Sequence, residues 1–139
     1  MKRADIRPPY THEHIFGTFK AELHEIQSTP EYVALTERGQ RPRIVVVVDA
    51  ISSTPGLRMP WERVVKYCKT QENVLSVVDG AHAIGQIVGI NLSETQPDFW
   101  ASVGFFLVMW VPETKLLWFN RPVANGCLQS EPARFFMFH

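Results

Sequence analysis

Apolar residues recur along this chain with two different periods, and the switch between them predicts the elements. Ile15, Phe19, Leu23 and Ile26 follow one another at spacings of four and three, the stripe of an amphipathic helix. Thr11 stands ahead of them as a cap, so the spacing predicts a helix from Thr11 to about Gln27. Residues 1–10 read as an unstructured lead-in because Pro8-Pro9 prevents helix, and residues 28–42, with Pro30, Gly39 and Pro42, read as a polar loop. Ile44-Val45-Val46-Val47-Val48 is continuous rather than alternating, the mark of a strand buried on both faces. Asp49 ends it, and Ala50 to Gly56 is rich in turn formers. Pro60 opens a helix at the position proline tolerates best. That helix is predicted to run to about Asn73 and to bury Trp61, Val64, Val65 and Cys68. Val74 to Val78 is the next strand and stops on Asp79. Asp98-Phe99-Trp100-Ala101-Ser102 reads as a third short strand, entered after a turn at Glu94 to Pro97.

Strand, loop, helix, strand is the unit that sets two strands parallel in one sheet through a crossover. The fold class expected is therefore α/β, with a mainly parallel sheet and crossover helices. Parallel strands place Asp49 and Asp79 on the same carboxyl-end rim, where open α/β sheets hold ligands.

Composition narrows the function classes. The 139 residues suffice for one domain, 45% are hydrophobic and 20% charged, and Lys plus Arg (14) equals Asp plus Glu (14). A balanced charge gives no electrostatic case for nucleic acid or an anionic membrane. The longest apolar run, Phe105 to Val111, is far below the roughly 20 residues of a membrane helix. Met1-Lys2-Arg3 leads into polar sequence rather than a secretory signal, and a soluble, cytoplasmic protein is expected. Cys68 and Cys127 form no CxxC unit, so two reduced thiols are expected and zinc is not. His12 and His14 are two apart and share no helical face, which argues for solvated histidines over a metal site.

Three chemistries use an acid at a strand's carboxyl end. Clustered carboxylates bind Mg²⁺ for phosphoryl transfer, but the chain has no GK[ST] phosphate loop. Dinucleotide binding wants GxGxxG after the first strand, and that is absent. The third is pyridoxal 5′-phosphate, whose pyridine nitrogen a buried carboxylate keeps protonated. His82, three residues after Asp79, could stack on that ring or hydrogen-bond its phenolic oxygen. The bland alternative is that Asp79 caps a helix beginning at Ala81-His82-Ala83-Ile84. A small non-enzymatic α/β domain that binds a ligand on the Asp49/Asp79 rim also stays open.

The string from Val78 to Ile87, VDGAHAIGQI, resembles the class V aminotransferase family of pyridoxal-phosphate enzymes, which includes cysteine desulfurases, C–S lyases and isopenicillin-N-epimerase-like proteins. Asp49 to Glu62 looks like the family's Asp-x-x-x-Ser…Pro segment, and Asn91-Leu92 with Asp98 to Ser102 looks like its approach to the lysine strand. The similarity covers roughly Thr11 to Ser102, which makes residues 1–102 part of the family's large domain. The resemblance implies that Asp79 pairs with the pyridinium nitrogen and that His82 contacts the ring or its 3′-oxygen. Ser53 would border the cofactor, and Asp49 would be structural or support the site from behind. It also implies amino-acid substrates, with transamination, epimerisation or C–S lyase chemistry, and a homodimer in the intact family.

The pattern breaks after Ser102. The family continues into a segment like Ser-x-x-His-Lys-Trp-Leu carrying the Schiff-base lysine. Here Val103-Gly104-Phe105-Phe106-Leu107 follows, and Lys115, the next lysine, has no matching context. On the same comparison the chain starts after the phosphate-binding turn and stops before the small C-terminal domain, so an inactive product is expected. Val103-Gly104 must be encoded GTN-GGN, as an intron could begin, and residues 124–139 read two bases later can spell a family-like Lys-Trp-Leu continuation. Residues 103–139 are therefore expected to be an aberrant tail, intron read-through followed by a shifted frame.

Overall fold

A computed structural model describes residues 2–103, 115–119 and 133–138, with side chains from Ala4 to Ser102. Helix α1 spans His12–Gln27, and its cap is Thr11, which accepts a hydrogen bond from the His14 amide. Its buried residues are Ile15, Phe19, Leu23 and Ile26, the four of the predicted stripe. Strand β2 is Arg43–Asp49, helix α3 is Trp61–Cys68, strand β3 is Val74–Asp79 and strand β4 is Phe99–Val103. The remaining elements are strand β1 (Lys2–Arg3), helix α2 (Pro30–Glu37), the one-turn helix α4 (Leu92–Thr95), and strands β5 (Lys115–Phe119) and β6 (Ala133–Phe138).

The sheet order is β1-β6-β2-β3-β4-β5. Strands β2, β3 and β4 are parallel neighbours, as the strand–helix–strand pattern requires, and β5 closes one edge antiparallel to β4. Ile44 pairs with Val74 and the register runs on to Asp49 opposite Asp79.

Four expectations need correction. The loop at 28–42 contains α2, because Thr29 caps it and Pro30 sits in its first turn. Its hydrophobic residues do not line one stripe and none of its residues is buried, which removes the periodic signal. The helix after Pro60 stops at Cys68 instead of near Asn73. The chain turns through Thr70 and Gln71, and Asn73 takes a left-handed φ of 58°. The lead-in is not wholly unstructured, since Lys2–Arg3 pairs with β6 and Ala4 is buried in the core. The turn at Glu94 to Pro97 begins inside α4 and ends with Gln96 at φ 52°.

The core lies between α1, α3 and one face of the sheet. Ile44, Val46, Val48, Val74 and Val78 join Phe19, Leu23, Trp61, Val64 and Val65 in one cluster. Side chains alternate across a strand, so Val45, Val47 and Asp49 point to the opposite face. That face is less enclosed: Val45 keeps 8% of its surface and stands outside the cluster, and Val47, Leu75 and Val77 are half-buried. The unbroken valine run therefore packs more tightly on one side than on the other.

Aromatic and charged groups lock α1 to α3. Phe16 and Phe19 meet Tyr67 edge-on at 5.8 and 5.9 Å. Arg63 lies 4.4 Å over the Phe16 ring and reaches Glu13 at 2.6 Å. That guanidinium holds the exposed Glu13 carboxyl below the usual carboxylate range, by hydrogen bond first and charge second. No described helix is long and apolar enough to cross a membrane.

Candidate functional site

The carboxyl ends of β2, β3 and β4 form the candidate site. Asp49 and Asp79 sit side by side in register, Asp49 buried and Asp79 exposed. The segment after Asp79 is a series of turns, not the helix of the bland alternative. Asp79 nonetheless makes a local contact of the capping kind. Its Oδ1 accepts the Ala81 amide at 2.9 Å, the short-range bond that aspartate makes at turns.

Three strands fix the start of this turn. The Asp79 carbonyl accepts the Ala50 amide at 2.7 Å, and the Gly80 amide donates to the Ala101 carbonyl at 2.6 Å. The Gly80 carbonyl accepts two bonds, from the Ala83 amide at 2.9 Å and from the Ser102 hydroxyl at 3.0 Å. Beneath Gly80 lies the Trp100 indole, so close that a Cβ on residue 80 would overlap Cζ2 and stand 2.5 and 2.9 Å from Cε2 and Cη2. Trp61 braces that indole edge-on at 5.2 Å. A glycine is required here for space.

His82 is exposed in the turn, three residues from Asp79, so the structure puts both predicted groups at one rim. Ser53 is exposed near the tip of the loop that joins β2 to α3. Its neighbour Ser52 is buried and shapes that loop: Ser52 Oγ accepts the Leu57 amide at 3.1 Å, and the Ser52 amide donates to the Leu57 carbonyl at 2.9 Å. An isolated bridge between Ile51 and Arg58 closes the loop, and the His12 ring nitrogen Nε2 meets the Arg58 carbonyl at 3.0 Å. Sequence reasoning missed Ser52, Gly80 and Ser102. A glycine directly after a strand-ending acid was the one available signal, since glycine at such a place marks close approach by another group.

Other polar groups serve the opposite edge. Asp98 Oδ2 accepts from both the amide and the hydroxyl of Ser76, at 2.9 and 3.0 Å, and its own amide donates back to that hydroxyl at 3.1 Å. Two described cavities, about 750 and 240 Å³, open at the amino ends of β2 and β3 near Asn73, away from Asp79. A smaller one of about 90 Å³ lies behind the loop, between Ile15, Ser52 and Met59. Burial, with Asp98 adding charge, pushes the Cys68 thiol up to about 12, which leaves it inert. Among the described residues no three His, Cys, Asp or Glu side chains cluster as a metal site. Cys127 and the expected reading of the tail after Val103 fall largely outside the described residues. Within that stretch, 115–119 and 133–138 pair into the sheet.

Part of the chain is similar to proteins of known name. Over 101 residues the chain is 34% identical to the L-cysteine desulfhydrase-like protein lolT1 of Epichloe uncinata, a match taking in 73% of this chain and 20% of that protein. The L-cysteine desulfhydrase-like protein lolT2 of the same organism is 34% identical over 101 residues, 73% of this chain and 19% of its own. Hercynylcysteine sulfoxide lyase of Schizosaccharomyces pombe is 49% identical over 59 residues, 42% of this chain and 14% of that enzyme. The chain thus spans about a fifth of the length of the first two relatives. No family model matches it.

Proposed function

We propose that the chain carries the ring-holding half of a pyridoxal-phosphate site, inherited from an enzyme that cleaves carbon–sulfur bonds in cysteine-type substrates. The observation that carries this is the placement of Asp79. It is an exposed carboxylate at the carboxyl end of a central parallel strand, gripped through its backbone by both neighbouring strands, with His82 in the turn that follows. The names of the relatives, two desulfhydrase-like proteins and a sulfoxide lyase, support the carbon–sulfur chemistry.

The donor set suits the ring of the cofactor in kind, an acid and an imidazole at one rim, although Asp79 is exposed here and not buried as the chemistry led one to expect. When bound, pyridoxal 5′-phosphate supplies an electron sink for negative charge at the α-carbon of an amino acid. Asp79 would hold the proton on the pyridine nitrogen, because a fixed carboxylate favours the charged ring. His82 would lie against the ring or donate to its 3′-oxygen, and Ser53 would border the site from the loop. The set does not supply an amine at the expected place, since Ser102 leads into Val103-Gly104. We therefore read this chain as non-catalytic by itself, and residues 103–139 as an intron read-through with a shifted frame. Sequencing the mature transcript tests that part, and a message that retains codons 103–123 would refute it as a gene-reading error.

The cofactor test is a titration of the purified chain with pyridoxal 5′-phosphate, followed by absorbance. Binding that Asp79→Asn weakens about tenfold or more, the worth of a charge-assisted hydrogen bond, is the expected result. Equal binding by both proteins refutes the role given to Asp79. A borohydride-fixed adduct that Lys115→Ala abolishes would refute the claim that the covalent half is missing.

A further inference from the structure

We infer that Ser102 is a positioning residue for Asp79, acting through the single peptide group between Gly80 and Ala81. The inference rests on the reading of Asp79 as the ring-holding acid. It begins with the geometry of one peptide. The Gly80 carbonyl accepts the Ser102 hydroxyl at 3.0 Å, and the Ala81 amide donates to Asp79 Oδ1 at 2.9 Å. Carbonyl and amide belong to the same planar unit, and rotation of one end rotates the other. Ser102 thus holds one end of a rigid plate whose other end holds the carboxylate.

The two contacts reach the plate from different sides of the sheet. Trp100 and Ser102 alternate with Ala101 along β4, and both are buried, with Trp100 in the main core cluster. Asp79 belongs to the less enclosed face with Leu75 and Val77. A buried hydroxyl on the core side therefore orients an exposed carboxylate on the other. The Gly80 amide is anchored at 2.6 Å on Ala101, and the Trp100 indole blocks movement of Gly80 toward the core. The hydroxyl of Ser102 shares the Gly80 carbonyl with the Ala83 amide, and of the two it is the tie that comes from outside the turn and sets the tilt of the Gly80–Ala81 peptide against the sheet.

The test uses the full chain and needs no ligand for its first readout. Amide hydrogen exchange is measured residue by residue in wild type, Ser102→Ala and Ser102→Thr. Ser102→Ala is expected to speed exchange at Ala81 about tenfold, the scale of one lost hydrogen bond. Val46 and Val78 in the sheet interior should stay within about twofold, as local opening is separable from global unfolding. Ser102→Thr, which keeps the hydroxyl, should restore Ala81. A rise shared by Val46 and Val78, or no rise at Ala81, overturns the inference. The second readout is the circular dichroism induced in added pyridoxal 5′-phosphate, which reports orientation of the ring. Ser102→Ala should change that band and weaken binding, and Ser102→Thr should not; an unchanged band overturns the positioning role. If Asp79→Asn binds the cofactor as wild type does, the functional reading fails, and exchange at Ala81 still decides whether Ser102 holds the plate.

Discussion

Replacing Gly80 by alanine puts one methyl group into the Trp100 indole. The new carbon would overlap Cζ2 and stand 2.5 Å from Cε2, far inside the roughly 3.5–4.0 Å of a relaxed carbon contact. The backbone of Gly80 lies outside the positive-φ region. The same exchange without a neighbour would therefore stabilise by about 0.4–1 kcal/mol through the unfolded chain. Trp100 cannot retreat, since it is buried and Trp61 stands 5.2 Å behind it. Overpacking of this kind costs about 1–3 kcal/mol, so Gly80→Ala should destabilise by about 1–2 kcal/mol. The assay is urea unfolding followed by far-ultraviolet circular dichroism. Its decisive form is a double-mutant cycle with Trp100→Leu, which clears the space. The two changes together should cost at least 1 kcal/mol less than about the sum of the single costs. Wild-type stability in Gly80→Ala, or strict additivity in the cycle, would refute the account of why glycine stands there.

Two further outcomes follow from groups at the opposite edge. The Cys68 thiol ionises near 9.0 when exposed and only near about 12 in the fold, mainly through burial. Its contribution is whole below pH about 9 and is lost as pH rises toward about 12. Wild type should lose up to about 1.4 kcal/mol per pH unit more than Cys68→Ala in that window, and equal slopes in urea unfolding between the two would contradict this. Ser76→Ala removes the hydroxyl that both donates to and accepts from Asp98. A loss of about 1–2 kcal/mol in thermal or urea unfolding is expected, the scale of a hydrogen bond to a part-buried charged group, and a neutral result would show the clamp to be dispensable.

Most of the site's frame could be read from residue order. A buried run ending on Asp49, a helix, and a second run ending on Asp79 can be assembled in few ways, and the structure pairs the two acids in register. The stripe of α1 was legible because four positions repeat at one period and all four are buried. Helix α2 was not, because it buries nothing and its start looks like turn chemistry. The brace under Gly80 was hidden for a different reason. Trp100 and Ser102 lie about 20 residues away and meet Gly80 only when β4 is laid beside β3, a contact that no local period encodes. Ser53, singled out from its neighbours by pattern, is exposed near the loop tip, and Ser52 is the serine that builds the loop.

The turn after Asp79 is tied to Ala50 on one side and to Ala101 and Ser102 on the other. Its shape is thus a property of three strands that are distant in sequence. Within the turn the Gly80 peptide is held by the Ala83 amide and by Asp79 Oδ1, and its ties to Ala101 and Ser102 form only when β4 lies beside β3. Closing those loops costs entropy before the contacts return it, so the interstrand ties to the turn exist only in the assembled sheet. A ligand that recognises this geometry would bind the assembled sheet and not its unfolded chain. Occupancy by such a ligand would then feed back on the whole fold by mass action, so the free ligand concentration would set how much of the chain stays folded.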